Sequence, residues 1–304
     1  MTTIIARNGE LVADRRKVVN GRRVGIIGVR NEAKIHKLPY CIYGITGFET
    51  DESVGIGRGD YFLKSALATL FALSYICEKN KEKDEMLLEK TGWTRPDYTR
   101  FRIQLAEIRN VIGTQLAKEL QEAGQGVIAM GLFNTIHIQN GTYLTIPITD
   151  TVVGGCGTTE ASILLDNGRS YKEIYHMLRT SGAPTGIEFD VLSVEKDLDK
   201  LFPPLSDPGF IRTIGVISRM AIKREKAQGD DVREKEVTYA LVEVMATFLM
   251  MGRVRDGKWR FFKDPVLKWI SADLIKKHYR VFKIACDTCK VKFEDYLKTK
   301  EGGE

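Results

Sequence analysis

Apolar and polar positions fall into four blocks along the chain, and their period changes from block to block. In the first block, Thr3 to Ala6 is short, apolar and β-branched, and Leu11 to Ala13 matches it across Asn8-Gly9. That dipeptide favours a tight hairpin, because both residues tolerate positive φ. Asn20-Gly21 marks a second turn, and Val24 to Val29, Ala33 to Leu38 and Tyr40 to Ile45 predict further short strands. The second block is helical. Tyr61 to Glu78 is apolar nearly all round, which predicts a helix buried on every side. The charged run Lys79 to Lys90 predicts an exposed loop or helix. Phe101, Leu105, Ile108, Ile112, Leu116 and Leu120 recur every three or four residues, so an amphipathic helix is predicted over 98–123. Pro96 and Asp97 suit its first turn.

The third block returns to strands at Val127 to Phe133, Thr135 to Gln139, Tyr143 to Ile146 and Thr151 to Val153, with Asn140-Gly141 as another hairpin turn. Thr158 to Leu165 reads as helical. Ser170 and Glu173 predict a capping box for a helix through Arg179, with Gly182 placed to end it and Phe189 to Val194 as a last strand. Strands, two helices, strands, two helices and a strand predict an α+β fold with antiparallel sheets between helix layers, a four-layer α-β-β-α sandwich over residues 1–203. Leu201-Phe-Pro-Pro and Ser206-Asp-Pro-Gly break the pattern and place a boundary there. Residues 204–304 form the fourth block, a basic C-terminal extension. It holds a basic stretch from Arg219 to Lys226, an apolar helix over about 237–251, a turn at Asp256-Gly257 and helical patterning over 265–298.

Charge changes the picture only in that extension. The net charge of +6 comes entirely from residues 205–304, where 21 Lys and Arg face 15 Asp and Glu. Such a segment can meet nucleic acid or an acidic partner, and a steep salt dependence of binding is the sign of the former. Acids are mixed among the bases, which favours a solvated helical face. Tyr61 to Cys77 and Val237 to Met251 carry Lys64 and Glu243, so neither reaches the roughly 18 apolar residues of a membrane span. Met1 is followed at once by polar residues, not by a secretory leader, and the cysteines (Cys41, Cys77, Cys156, Cys286, Cys289) are odd in number and widely spaced. The expectation is a cytoplasmic protein, in the host cytoplasm if phage-encoded, with no membrane contact. Cys286-Asp-Thr-Cys289 lacks the second ligand pair of a zinc site, with His278 the nearest other candidate, and reads as two half-buried thiols on a helix. No metal and no organic cofactor is expected. His36 and His137 fall in strand patterns and His176 on a helix, which suits structural roles, and Trp93, Trp259 and Trp269 are too scattered for a stacking platform.

Candidate chemistry begins at Met1-Thr2-Thr3. Initiator Met is removed before a small residue, which would expose Thr2. An N-terminal threonine carries both a nucleophilic hydroxyl and its own base, an α-amine with a pKa of about 7.7–8.0. The opening Thr2-Thr-Ile-Ile-Ala-Arg-Asn-Gly-Glu-Leu-Val-Ala-Asp14-Arg-Arg16 resembles that of proteasome β subunits and their bacterial ring-peptidase relatives. So do Ala33-Lys34-Ile-His-Lys-Leu and Tyr40-Cys-Ile-Tyr-Gly-Ile-Thr-Gly47. Val153-Gly-Gly-Cys156-Gly-Thr-Thr-Glu-Ala161 is similar to the family's glycine turn, and Thr185-Gly186 with Phe189-Asp-Val-Leu to its closing motif. The likeness spans about residues 2–195 in the family's order, and the short opening hairpin resembles the compact proteasome-like proteins of phages and bacteria.

The resemblance implies a threonine-type peptidase or amidase acting on a peptide or protein substrate through an acyl-enzyme. It implies Thr2 as nucleophile and Lys34 as a neighbouring ammonium that lowers the pKa of the attacking groups. Asp14 would anchor Lys34, and the Gly47 N–H would meet the developing oxyanion. Arg16, Cys156, Ser181, Thr185 and Gly186 would support them. It also implies self-association, as a ring or stacked dimer. Two positions depart from the family pattern. Cys156 replaces a serine and is the weaker hydrogen-bond donor. Gly182, beside Ser181, stands where an aspartate is expected. Read singly, Asp14 could satisfy a turn, Lys34 could be a surface lysine and Gly47 could serve a strand end. Cys156 as a second nucleophile lacks a histidine partner. The alternative to an enzyme is an inactive proteasome-fold subunit with a structural or interaction role, because this fold can lose its site.

Overall fold

The computed structural model describes residues 2–20, 27–31, 33–38, 40–47, 58–81, 94–196, 254–255, 258–259, 272–277, 279, 283 and 292–301. The chain divides into two compact units, Met1–Gly57 with Ala117–Lys196, and Arg58–Leu116 with Asp197–Glu304.

In the first unit, β1 (Thr3–Arg7) and β2 (Glu10–Asp14) form the opening hairpin. Asn8 and Gly9 both take positive φ, 53° and 80°, as a two-residue turn of this kind requires. β1 also pairs with β10 (Val152–Gly155), and β2 with β11 (Phe189–Ser193), giving an antiparallel sheet of order β10-β1-β2-β11. The second antiparallel sheet contains β5 (Ile35–Lys37), β6 (Ile42–Gly47), β7 (Gln125–Met130), β8 (Asn134–Gln139) and β9 (Thr142–Pro147), in that order. β3 (Arg16–Asn20) and β4 (Ile27–Asn31) pair separately, with Val18 opposite Val29.

Burial of both faces explains why Ile4 to Ala6 and Leu11 to Ala13 are apolar throughout. Ile4, Ala6, Leu11 and Ala13 turn to one side of the four-stranded sheet and pack with Ile35, Ile42, Ile128 and Met130 of the other sheet. Ile5 and Val12 turn to the opposite side. There they meet Ala161 and Leu165 of α3 (Thr158–Asp166) and Ile174, Tyr175 and Leu178 of α4 (Tyr171–Thr180). Both faces are therefore dry, which is why no polar position interrupts the run. This unit accordingly stacks a helix pair, a sheet and a second sheet.

The start of α4 carries the predicted capping box. The Ser170 hydroxyl accepts from the Glu173 N–H, and Glu173 Oε2 accepts from the Ser170 N–H at 2.9 Å. These contacts hold the exposed Glu173 carboxylate below the usual range, chiefly through the Ser170 backbone. Ser170→Ala is expected to cost about 1 kcal/mol. A guanidinium unfolding midpoint shifted down at unchanged slope would record it.

In the second unit, α1 (Arg58–Lys81) buries Leu67, Leu70 and Leu73 completely. α2 (Arg95–Glu122) buries Leu105, Ile108, Ile112 and Leu116 here, the stripe expected from their spacing, and continues past Ala117 into the first unit. α5 (Ala272–Lys277) buries Ile275 and α6 (Phe293–Glu301) buries Phe293, whose ring meets Tyr279 edge-on at 4.9 Å.

Some expectations differ from the structure. Arg16–Asn20 was not expected as a strand, because only Val18 and Val19 in it are apolar; it forms by pairing with β4. The third-block strand ends at Met130, short of Phe133. The extension, expected to be helical, also contains a short ladder of β12 (Val254–Arg255) and β13 (Lys258–Trp259). The turns at Gly21 and 256–257, the charged run beyond Lys81, the helix over 237–251, the basic stretch 219–226 and the Cys286/Cys289 pair lie outside the described residues.

Candidate functional site

β2 ends on Asp14, whose carboxylate has no exposed surface. Its Oδ1 accepts from the Thr3 N–H at 2.9 Å. Its Oδ2 accepts from Lys34 Nζ at 2.8 Å and from the Arg16 and Gly186 N–H groups at 3.1 Å each. A carboxylate offers about four lone-pair sites, and this one meets four donors, one at Oδ1 and three at Oδ2. The Lys34 side chain is itself only 9% exposed. A buried ion pair survives desolvation only when such extra hydrogen bonds complete it. Asp14 is therefore more than a turn residue. It ties together the first strand, the segment before β5 and the closing loop.

Thr2 sits just ahead of β1 and is 7% exposed. Its carbonyl accepts from the Cys156 N–H at 3.1 Å. Thr3 lies opposite Gly155 in the β1–β10 pairing. The turn after β10 needs its glycines. Gly155 has φ of 101°, and a Cβ there would overlap the Thr2 carbonyl oxygen. A Cβ on Gly157 would come within 2.9 Å of Thr3 Oγ1. Gly155→Ala is expected to cost about 1–3 kcal/mol in backbone strain. It should also displace Thr2, so labelling at Thr2 by an N-terminal-threonine probe should slow by about tenfold or more. Melting temperature and labelling rate, measured on the same protein, check both parts.

Gly47 ends β6 with φ of 116°, and a Cβ there would fall 2.5 Å from the Gly124 carbonyl oxygen. Thr2, Gly47, Gly155 and Cys156 together line one cavity of about 520 Å3. Cys156 is exposed, and its Sγ lies 3.6 Å from Thr3 Oγ1. Gly186 reaches the site through its N–H to Asp14, and a Cβ on it would crowd Arg16 at 2.9 Å. Arg16 likewise reaches Asp14 through its backbone, while its Nε and Nη1 are buried without a hydrogen-bond partner among the described residues. Thr185 is fully buried, and its hydroxyl has no hydrogen-bond partner among the described residues. Ser181 has a local role. It caps the C-terminus of α4 and donates its hydroxyl to the Leu178 carbonyl at 3.0 Å. Gly182 follows with φ of 90° and donates its N–H to Arg179. That position serves helix termination.

Two contributors carried no signal as site residues. Thr3 supplies the N–H that Asp14 binds. Tyr175, on α4, is fully buried, with its hydroxyl 3.1 Å from the Thr3 carbonyl and 3.2 Å from the Val12 carbonyl. A phenol has one hydrogen, so it serves one carbonyl at a time. Burial first, and then the charge of Asp14, push its pKa well above the usual tyrosine value. The hydroxyl thus remains a donor, and its ring stacks on Phe189 at 5.2 Å. The sequence placed Tyr175 on a helix through Arg179 and pointed to neither its burial nor its partners.

The remaining titratable groups lie elsewhere. Cys41 is buried, which pushes its thiol far up. Burial lowers the pKa of His137, His36 packs beside Tyr43 at 5.3 Å, and His176 is exposed. Among the described residues no group of three or more His, Cys, Asp or Glu could hold a metal, and no helix is long and apolar enough to cross a membrane.

No protein-family model and no curated protein matches the sequence. Several solved structures do. A eukaryotic HslV from Trypanosoma brucei overlaps 64% of this chain and 99% of its own, at 16% identity and a TM-score of 0.36. Anbu, an ancestral beta-subunit, from Yersinia bercovieri overlaps 72% of this chain and 97% of its own, at 12% identity and a TM-score of 0.32. A Gly-1 mutant of Anbu from Hyphomicrobium sp. strain MC1 overlaps 76% and 99%, at 13% identity and a TM-score of 0.32. These scores and identities are low, and the case for the site rests on the hydrogen bonds around Asp14.

Proposed function

We propose that this chain is a proteasome-like N-terminal-nucleophile hydrolase that cleaves amide bonds in peptides with Thr2. The observation that carries this is the buried Asp14 carboxylate, bonded at once to Lys34 Nζ and to the N–H of Thr3. It joins a cation to the first strand at Thr3, the neighbour of Thr2, which lines a cavity together with Gly47. Removal of Met1 frees the Thr2 amine. The Thr2 hydroxyl attacks the substrate carbonyl and passes its proton to that amine. The Gly47 N–H stabilises the oxyanion that forms. Collapse breaks the C–N bond, and the leaving amine takes the proton back. An ester to Thr2 remains. Water, deprotonated by the same amine, attacks the ester and releases the acid with the hydroxyl restored. Lys34, held by Asp14, favours the neutral amine by like-charge repulsion. No step calls for a metal or organic cofactor.

The same proposal takes residues 1–203 as a four-layer sandwich, residues 204–304 as an extension to it, and self-association as the natural state. The second reading is an inactive subunit with a structural or interaction role. Cys156 in place of a serine and the engagement of Ser181 at the end of α4 favour it. Intact mass of the untagged protein, before and after an epoxyketone or β-lactone probe, separates the two. Loss of Met1 with one adduct, absent from Thr2→Ala, supports the hydrolase. A retained Met1 with no adduct supports the inactive subunit.

A further inference from the structure

The described wall of the cavity beside Thr2 is built from neutral residues. Gln121, Gln125, Gln139, Asn140 and Thr46 line it with Thr2, Cys156 and four glycines, and no described lining residue is of a charged or large apolar type. The end of α2, the start of β7 and the β8–β9 turn meet the end of β6 and the turn after β10 there. Gln121 lies against that turn so closely that a Cβ on Gly141 would run into its amide. The volume of about 520 Å3 falls within the roughly 300–1,000 Å3 of ordinary ligand sites.

We propose that this cavity selects peptide substrates with a neutral, amide-bearing side chain next to the cleaved bond, and that Gln121 and Asn140 determine that preference. The proposal rests on Thr2 being the nucleophile. An amide both donates and accepts, so a wall of amides can match a glutamine or asparagine group for group. A charged side chain entering the cavity loses hydration and finds no counter-ion on the described wall. An aliphatic side chain strips water from the wall amides and leaves them unpaired. Both penalties disfavour the competitors, and only the amide avoids them.

The test uses full-chain Thr2→Ala protein and labelled peptides identical but for Gln, Asp, Lys or Leu at one position, scanned along the peptide. Equilibrium binding is read by fluorescence anisotropy. At one position the Gln peptide should bind about tenfold tighter than the others, the scale expected when buried polar groups are matched or left unpaired. Gln121→Glu should move the preference to Lys by supplying a counter-charge. Asn140→Asp, on an exposed turn, gives the same readout if Gln121→Glu does not fold. Equal binding of all four peptides, no binding, or a preference that neither variant moves would overturn the proposal. Cleavage of the same peptides by the native chain separates the two levels. Cleavage without the Gln preference sinks the selectivity and leaves Thr2 standing. Preference in binding without cleavage sinks the nucleophile and leaves the cavity as a peptide site.

Discussion

Thr2→Ala is expected to lower peptide hydrolysis by at least ~10⁴-fold and to leave the fold intact. The hydroxyl oxygen is the atom that bonds to the substrate, and loss of the nucleophile in a hydrolase costs on that order or more. Thr2 precedes β1, and its backbone is held through its own carbonyl, which the substitution keeps. The stability change should therefore stay within about 1 kcal/mol. Hydrolysis rates at saturating peptide, with circular dichroism and unfolding midpoint as controls, give both numbers. A variant that hydrolyses as fast as the parent would place the nucleophile elsewhere and end the Thr2 proposal. Thr2→Ser should retain measurable activity, since it keeps the oxygen and the amine.

Asp14→Asn should be the most damaging single change to stability outside the apolar core. The carboxylate accepts from Lys34 Nζ and from three backbone N–H groups. An asparagine offers one acceptor oxygen, and its NH2 points hydrogen at groups that are themselves donors. Lys34, 9% exposed, loses its counter-charge. Breaking a buried pair from one side costs about 3–5 kcal/mol, because the other charge stays behind unpaired. The expected result is a lower denaturant midpoint at unchanged slope and no probe adduct. Asp14→Asn with Lys34→Met removes the stranded charge. That double variant should regain part of the stability and none of the labelling. A single variant as stable as the parent would show that the pair does not hold these segments together.

Local chemistry was legible along most of the first 196 residues. Asn8-Gly9 and Asn140-Gly141 turn where two-residue hairpins require positive φ, with Asn140 at 51° and Gly141 at 74°. Ser170 and Glu173 close the box their spacing announced. The stripe from Leu105 to Leu120 is buried as its period demands. Each of these depends on residues within four positions of one another, so propensity and period reach them. Arg16–Asn20 escaped because its strand character comes from pairing with β4 rather than from its own polar composition.

The sequence by itself determined most of the order of strands and helices, the hairpin turns at Asn8-Gly9 and Asn140-Gly141, the helix cap and the residue types of the candidate site. Only the tertiary structure decided how those residues meet. Asp14 takes its donors from Thr3, 11 positions back, Lys34, 20 positions on, and Gly186, 172 positions on. Tyr175 reaches the Thr3 carbonyl across 172 positions. Such contacts leave no period or local motif in the chain, because their geometry exists only once both sheets and the α3–α4 pair have packed. The same packing set Ser181 at a helix end, where its hydroxyl is engaged. A hydroxyl bonds to the nearest acceptor the fold presents, and for Ser181 that acceptor is the Leu178 carbonyl.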